Sequence, residues 1–193
     1  ESLPVTSGAL AGTTFRLRSW QRKFIRSVYA TDRRGRRRVR TAVLSMARKN
    51  GKTDLAARLA LCHLCGPEAE QRGEIYSAAN DRFQAGRIFS EIAAIIERVL
   101  WISERVSIRR HSKELEDIGA GGTGSTYAAL SADVATKHGL SPSFVCYDEL
   151  GQATSRELYD VLDTAMGARS EPLMVVISTQ AASDHAPMSE LVD

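Results

Sequence analysis

Eight consecutive residues, Met46-Ala47-Arg48-Lys49-Asn50-Gly51-Lys52-Thr53, have the types and order needed to hold a phosphate chain. They follow the phosphate-loop pattern, with Met46 in place of the usual first glycine. A tight loop that opens a helix aims several backbone N–H groups at one spot, and the helix N-terminus adds roughly half a positive charge there. Gly51 lets the backbone approach closely, Lys52 reaches the β- and γ-phosphates, and the Thr53 hydroxyl is a magnesium ligand. Much later, the apolar run Phe144-Val145-Cys146-Tyr147 ends in Asp148-Glu149. A carboxylate at the end of a buried strand holds Mg2+ through water, and its neighbour orients and deprotonates an attacking water. Asp148 takes the first role and Glu149 the second. Together the two motifs predict nucleoside triphosphate hydrolysis, with ATP and Mg2+ bound. The adjacent Glu149 and the lack of a lid motif favour water attack over transfer to a small molecule.

Two further segments belong to the same chemistry. Gln21, beside Trp20 and upstream of the loop, has an amide that can bond an adenine edge. Ser178-Thr179-Gln180 follows the last apolar strand, where polar side chains can sense the γ-phosphate.

These residues need a scaffold, and the hydrophobic periods supply one. Residues 1–18 predict an irregular lead-in, after which Trp20, Phe24 and Val28 recur at helical spacing. Thr41–Ala47 reads as a buried strand, followed by a helix with Leu55, Leu59 and Cys62 on one face and Gly66-Pro67 as its stop. Glu74–Ala79 is a second strand, Asn80-Asp81 a helix start, and Ile88 through Val99 the apolar stripe of a long helix. Val106–Leu130 predicts short strands broken by Gly119-Ala120-Gly121-Gly122-Thr123-Gly124. Ser143–Tyr147 is a buried strand, Thr154 and Glu157 are spaced as a capping box, and Leu173–Ile177 is the last strand. Strands alternating with helices predict an α/β fold with a mainly parallel central sheet flanked by helices, in one domain over residues 1–193.

The composition is that of an ordinary globular chain, 43% hydrophobic and 25% charged, with a formal net charge of only +3. No apolar run approaches the roughly 18 residues of a spanning helix, so no membrane role is expected. Three cysteines in 193 residues do not make a disulfide scaffold and fit a reducing compartment. The opening Glu1-Ser2-Leu3-Pro4 has no leader-like character, and its missing Met reads as a trimmed chain. Arg33, Arg34, Arg36, Arg37, Arg38 and Arg40 crowd one segment around Gly35, either as a solvated loop or as a contact to phosphate backbone or a neighbouring subunit. Gly119–Ser125 lacks a Lys and reads as a hairpin or loop. Cys62-His63-Leu64-Cys65 lacks the second ligand pair of a zinc site, and His111, His138 and His185 have no metal spacing.

The chain resembles the N-terminal packaging ATPase of the large terminase subunits of tailed bacteriophages. The resemblance is carried by Trp20-Gln21, Arg48 to Thr53, Tyr76-Ser77-Ala78-Ala79 with Gln84-Ala85, and Leu130-Ser131-Ala132-Asp133. It continues through His138-Gly139-Leu140-Ser141-Pro142, Asp148-Glu149-Leu150 and Ser178-Thr179-Gln180. It implies an ASCE-type P-loop NTPase that self-associates as a ring on the portal protein and, with the small terminase subunit, drives double-stranded DNA into a procapsid in the host-cell cytoplasm. It implies that Arg48 senses or stabilises the γ-phosphate, that Lys52 and Thr53 bind phosphate and Mg2+, and that Ser178-Thr179-Gln180 couples hydrolysis to movement. The resemblance leads one to expect a smaller residue than Gln180 at the third coupling position. The family's nuclease domain is not expected within this chain, so DNA cleavage is not assigned to it. Arg110, Arg156 and Arg169 are candidates for an arginine supplied to a neighbour's site. A helicase-like or other DNA-remodelling ATPase, and a nucleotide-switched assembly module, share the same nucleotide motifs.

Overall fold

The computed structural model describes residues 3–131, 139–153, 155–179 and 187–191. Among them the strands are β1 (Thr41–Ser45), β2 (Glu74–Ala79), β3 (Val106–Arg109), β4 (Glu114–Asp117), β5 (Thr126–Ser131), β6 (Pro142–Asp148) and β7 (Leu173–Ser178). The helices are α1 (Ser19–Val28), α2 (Lys52–Cys65), α3 (Arg82–Ile96), the short α4 (Leu100–Ser103) and α5 (Glu157–Ala165). One sheet joins the strands in the order β1-β7-β6-β2-β5-β4-β3. The first five are mutually parallel, while β4 and β3 add an antiparallel edge.

β6 and β7 are buried along their whole length, which is why they read as unbroken apolar runs. Their side chains alternate between two cores. Phe144, Cys146, Val175 and Ile177 pack with α2 and α3 on one face, whereas Val145, Tyr147, Met174 and Val176 pack with α5 on the other. Burying such residues contributes about 1.5–3 kcal/mol each, so the centre of the sheet is its most strongly held part. β1, which leads into the phosphate loop, is an edge strand and only half-buried.

The helix boundaries have local causes. The Asp81 carboxylate accepts from the backbone N–H groups of Phe83 (2.8 Å) and Gln84 (2.9 Å), which starts α3. Its stripe of Ile88, Phe89, Ile92, Ile95 and Ile96 is buried as expected, but the helix ends at Ile96, before Val99. At α5 the Ser155 hydroxyl accepts from the Glu157 N–H at 3.1 Å; Thr154 lies outside the described residues. The glycine run after β4 is the connection of an antiparallel pair, as expected. It is organised by the buried Asp117 carboxylate, which accepts from Thr123 N at 2.8 Å and from the Arg105 guanidinium.

Candidate nucleotide site

Parallel strands bring their C-terminal ends to one edge of the sheet, and the sequence motifs meet there. β1 runs into the loop at Met46, whose N–H donates to Ser178 O at 3.0 Å. Lys49 and Gly51 both take the left-handed backbone conformation, with φ 64° and 77°. Gly51 is the residue immediately before α2, so this conformation sets the angle at which the helix leaves the loop. Lys52 and Thr53 are the first two residues of α2, as the phosphate reading requires.

β7 lies between β1 and β6, and this insertion sets the spacing of the site. Asp148 ends β6 opposite Ile177, and the Glu149 N–H donates to Ile177 O at 2.8 Å. Glu149 itself is left-handed at φ 57°, an uncommon conformation for a residue with a side chain. Its Oε2 accepts from the Thr179 N–H at 3.2 Å and the Thr179 hydroxyl at 3.0 Å. Its Oε1 lies 3.7 Å from Lys52 Nζ, and Nζ also donates to Met46 O at 2.8 Å. The Ser178 hydroxyl accepts from Gly151 N at 2.9 Å. The phosphate loop, the acidic pair and the Ser178-Thr179 segment therefore form one hydrogen-bonded unit. Gln180 lies outside the described residues.

Asp148 is buried, and burial followed by the neighbouring Glu149 charge pushes its carboxyl up to about 6, against the opposing pull of Lys52 and Arg87. A buried carboxylate that its cationic neighbours leave under-compensated has the hard-oxygen chemistry that a divalent cation takes.

A cavity of about 810 Å³ opens beside the loop, and Lys49, Gly51, Lys52 and Thr53 form one side of it. Arg48 is exposed on the same loop, and the Asn50 amide donates to Ala47 O at 3.2 Å. The opposite wall was not foreseen. Residues 3–18, expected to be an irregular lead-in, double back on themselves: Val5 N donates to Thr13 O at 2.8 Å and Phe15 N to Leu3 O at 2.8 Å. Thr6, Thr14, Phe15, Arg16 and Arg18 from this segment line the cavity. One signal in the sequence pointed to it: Asp54 and Arg58, a charged pair four residues apart on a helix whose middle is otherwise Leu and Ala. Gln21 is buried at the start of α1, where its Oε1 accepts from Arg18 N at 2.8 Å. Its carbonyl is thus used in capping the helix, and Gln21 itself does not line the cavity.

The arginine segment lies at the other edge of the sheet, before β1. Asp32 holds the turn by accepting from Arg34 N (2.8 Å) and Arg36 N (3.0 Å), and Gly35 has φ 77°. Arg33, Arg34, Arg36, Arg38 and Arg40 are exposed. Arg37 differs from them: its side chain is inside, 3.3 Å from Glu68, bonded to Glu171 O and stacked on the Tyr29 ring. Arg169 is likewise committed. It donates to Ser141 O (2.9 Å), Glu70 (2.8 Å) and Arg72 O (3.1 Å) at the N-terminal ends of β2 and β6, across the sheet from the loop. Arg110 pairs with Glu97, and Arg156 with Asp160 at 2.8 Å. His63, between the two cysteines, stacks on Phe144 and shares a 3.0 Å hydrogen bond with Tyr29.

A parallel sheet with one strand inserted between the phosphate-loop strand and the acidic strand, and with the site on its C-terminal edge, defines a P-loop NTPase of the ASCE type. The family model for the terminase large subunit, ATPase domain, matches residues 19–193, and the chain belongs to that family. The large terminase subunit of Enterobacteria phage HK97 is 40% identical over 195 residues, covering 98% of this chain and 36% of that protein. The crystal structure of the HK97 large terminase superposes with a TM-score of 0.87 at 38% identity, over 100% of this chain and 38% of the other. The ATPase domain of the Thermus phage P74-26 large terminase has the same fold, with a TM-score of 0.61 at 20% identity, over 87% of this chain and 72% of that one. The chain thus spans little more than a third of the HK97 protein.

Proposed function

We propose that this domain hydrolyses ATP with Mg2+ and that the hydrolysis drives double-stranded DNA into a procapsid. The observation that carries this reading is the placement of Glu149, gripped by Thr179 on one oxygen and facing Lys52 with the other. In this reading the triphosphate lies along the loop, where the backbone N–H groups of residues 48–53 and the Lys52 ammonium hold its oxygens. Arg48, exposed on the loop, reaches the γ-phosphate. Mg2+, when bound by Thr53 and by Asp148 through water, neutralises charge on the phosphates. Glu149 takes a proton from the attacking water. Gln21, whose carbonyl already accepts from Arg18 N, has its amide N–H groups for the ring-nitrogen acceptors of adenine.

Ser178 and Thr179 couple the site to motion, because one short segment bonds the phosphate loop, the Gly151 turn and the base. Subunits assemble as a ring on the portal protein and work with the small terminase subunit. The exposed Arg33, Arg34, Arg36, Arg38 and Arg40 contact DNA phosphates or a neighbouring subunit. This work takes place in the host cytoplasm, and none of the described helices is long and apolar enough to cross a membrane.

The test is steady-state ATP hydrolysis by the wild type beside Glu149→Gln, with and without double-stranded DNA. Loss of the base lowers turnover by about 10²–10⁴ while nucleotide binding persists. Wild-type turnover in Glu149→Gln would reject Glu149 as the base.

A further inference from the structure

Arg58 stands out among the charged residues of the described chain. It is 6% exposed in the middle of an apolar helix, and its neighbours belong to three separate parts of the fold. Its guanidinium donates to Pro4 O at 2.6 Å and to Asp54 O at 3.0 Å, pairs with the Asp54 carboxylate one turn earlier, and lies 3.9 Å from Glu91 of α3. Its Cζ sits 3.8 Å above the Phe15 ring. Glu91 in turn accepts from the Thr6 hydroxyl at 2.6 Å. Arg58 and Glu91 thus hold the same segment at Pro4, Thr6 and Phe15. Asp54, one of the partners, directly follows Lys52 and Thr53 on α2. A planar guanidinium can satisfy a carbonyl, two carboxylates and an aromatic face at once, which an ammonium cannot.

We propose that Arg58 is a positioning residue: it fastens residues 3–18 against the phosphate-loop helix and so sets the width of the nucleotide cavity and the affinity for ATP. This rests on the reading that the cavity holds ATP. Arg58 does not line the cavity, but Thr6, Phe15, Asp54 and Glu91 around it do. Its effect is on binding, and the hydrolytic unit of Lys52, Glu149 and Thr179 is held by other bonds.

The experiment is titration of a fluorescent ATP analogue with Mg2+, together with kcat and KM, on the wild type, Arg58→Met, Thr6→Val and the double variant. Methionine keeps the apolar packing on Phe15 and removes the tether. Thr6→Val removes a tether without changing the charge. The dissociation constant and KM rise about tenfold in Arg58→Met, as for loss of a charge-assisted hydrogen bond, while kcat stays within about threefold. Thr6→Val shows a smaller rise of the same kind, and the double variant is no weaker than Arg58→Met alone because both changes loosen one wall. Arg58→Lys, with a single compact charge, does not restore the affinity. Unchanged affinity in Arg58→Met, or a fall in kcat without one in affinity, would overturn the proposal. If Arg58→Met lost its fold, Thr6→Val decides alone: unchanged affinity there overturns the proposal as well. A wild type that binds no analogue would instead overturn the nucleotide reading on which the proposal stands.

Discussion

Thr179 holds Glu149 twice on one oxygen, with its backbone N–H at 3.2 Å and its hydroxyl at 3.0 Å. Two donors on the same carboxylate oxygen fix the plane of the carboxyl group and leave Oε1 to face Lys52. In the proposed reaction, a base held this way starts each turnover already oriented. Thr179→Val keeps the backbone hydrogen bond and removes the hydroxyl. A hydrogen bond to a charged group is worth about 1.5–3 kcal/mol, so kcat should fall between about 10-fold and 100-fold with little change in KM. An equal rise in KM would show that Thr179 acts through binding instead.

Asp148 carries a desolvation cost. Its carboxyl is pushed up to about 6 from an ordinary 3.8 by burial and by Glu149. The folded state therefore binds the proton more tightly than the unfolded one, and this contribution to stability is lost as pH rises from 3.8 through 6. At neutral pH, without Mg2+ or nucleotide, Asp148→Asn should stabilise the fold by about 1–3 kcal/mol and abolish Mg2+-dependent turnover. Urea unfolding in the presence of a chelator measures the first effect; a loss of stability would contradict it.

His63 gives the opposite pH dependence. Burial, aided by the nearby Arg37 charge, holds its imidazole down to about 3 from an ordinary 6.5. The unfolded chain takes up the proton near 6.5 while the folded chain refuses it, so stability is complete above that pH and is lost on going down towards 3. The unfolding free energy of the wild type should fall more steeply than that of His63→Leu across this window, by up to about 1.4 kcal/mol per pH unit. Parallel pH profiles would show that His63 is not the group responsible.

Arg169 is better explained as a support than as a residue lent to a neighbour. It is 19% exposed and bonds Ser141, Glu70 and Arg72 at the edge of the sheet away from the loop. Arg169→Ala should lower stability by about 1–3 kcal/mol, because several partners are deprived of a half-buried donor, while turnover per folded molecule is unchanged. Loss of activity rescued by mixing with a base-deficient partner would indicate a role in trans.

The exposed arginines of the turn make a separate prediction. Replacing Arg33, Arg34, Arg36 and Arg38 together with Ser should flatten the dependence of DNA affinity on salt, by about one unit of logarithmic slope for each DNA phosphate that is no longer neutralised. Arg37 does not belong in that set, since its side chain is buried against Tyr29 and tied to Glu68 and Glu171 O. An unchanged salt slope in the fourfold variant would place the DNA-binding surface elsewhere.

The alternation of strands and helices, the phosphate loop at the start of α2 and the acidic pair at the end of β6 are all legible in the residues themselves. Each of these is written in a short stretch, as a hydrophobic period, a glycine that must be left-handed or a carboxylate after an apolar run, and local sterics and burial are enough to enforce it. Pairings between residues far apart in the chain are settled only once the fold has assembled. That assembly placed β7 between β1 and β6 and so brought Thr179 onto Glu149. It turned Arg37 and Arg169 inward while their neighbours stayed in water. It also folded residues 3–18 against α2 and α3 through Arg58 and Glu91, making a wall of the cavity from a segment with no period of its own. The physical reason is that periodicity shows which face of an element is buried, but the partner of a buried charge is chosen by whichever distant group can satisfy it once the sheet has assembled.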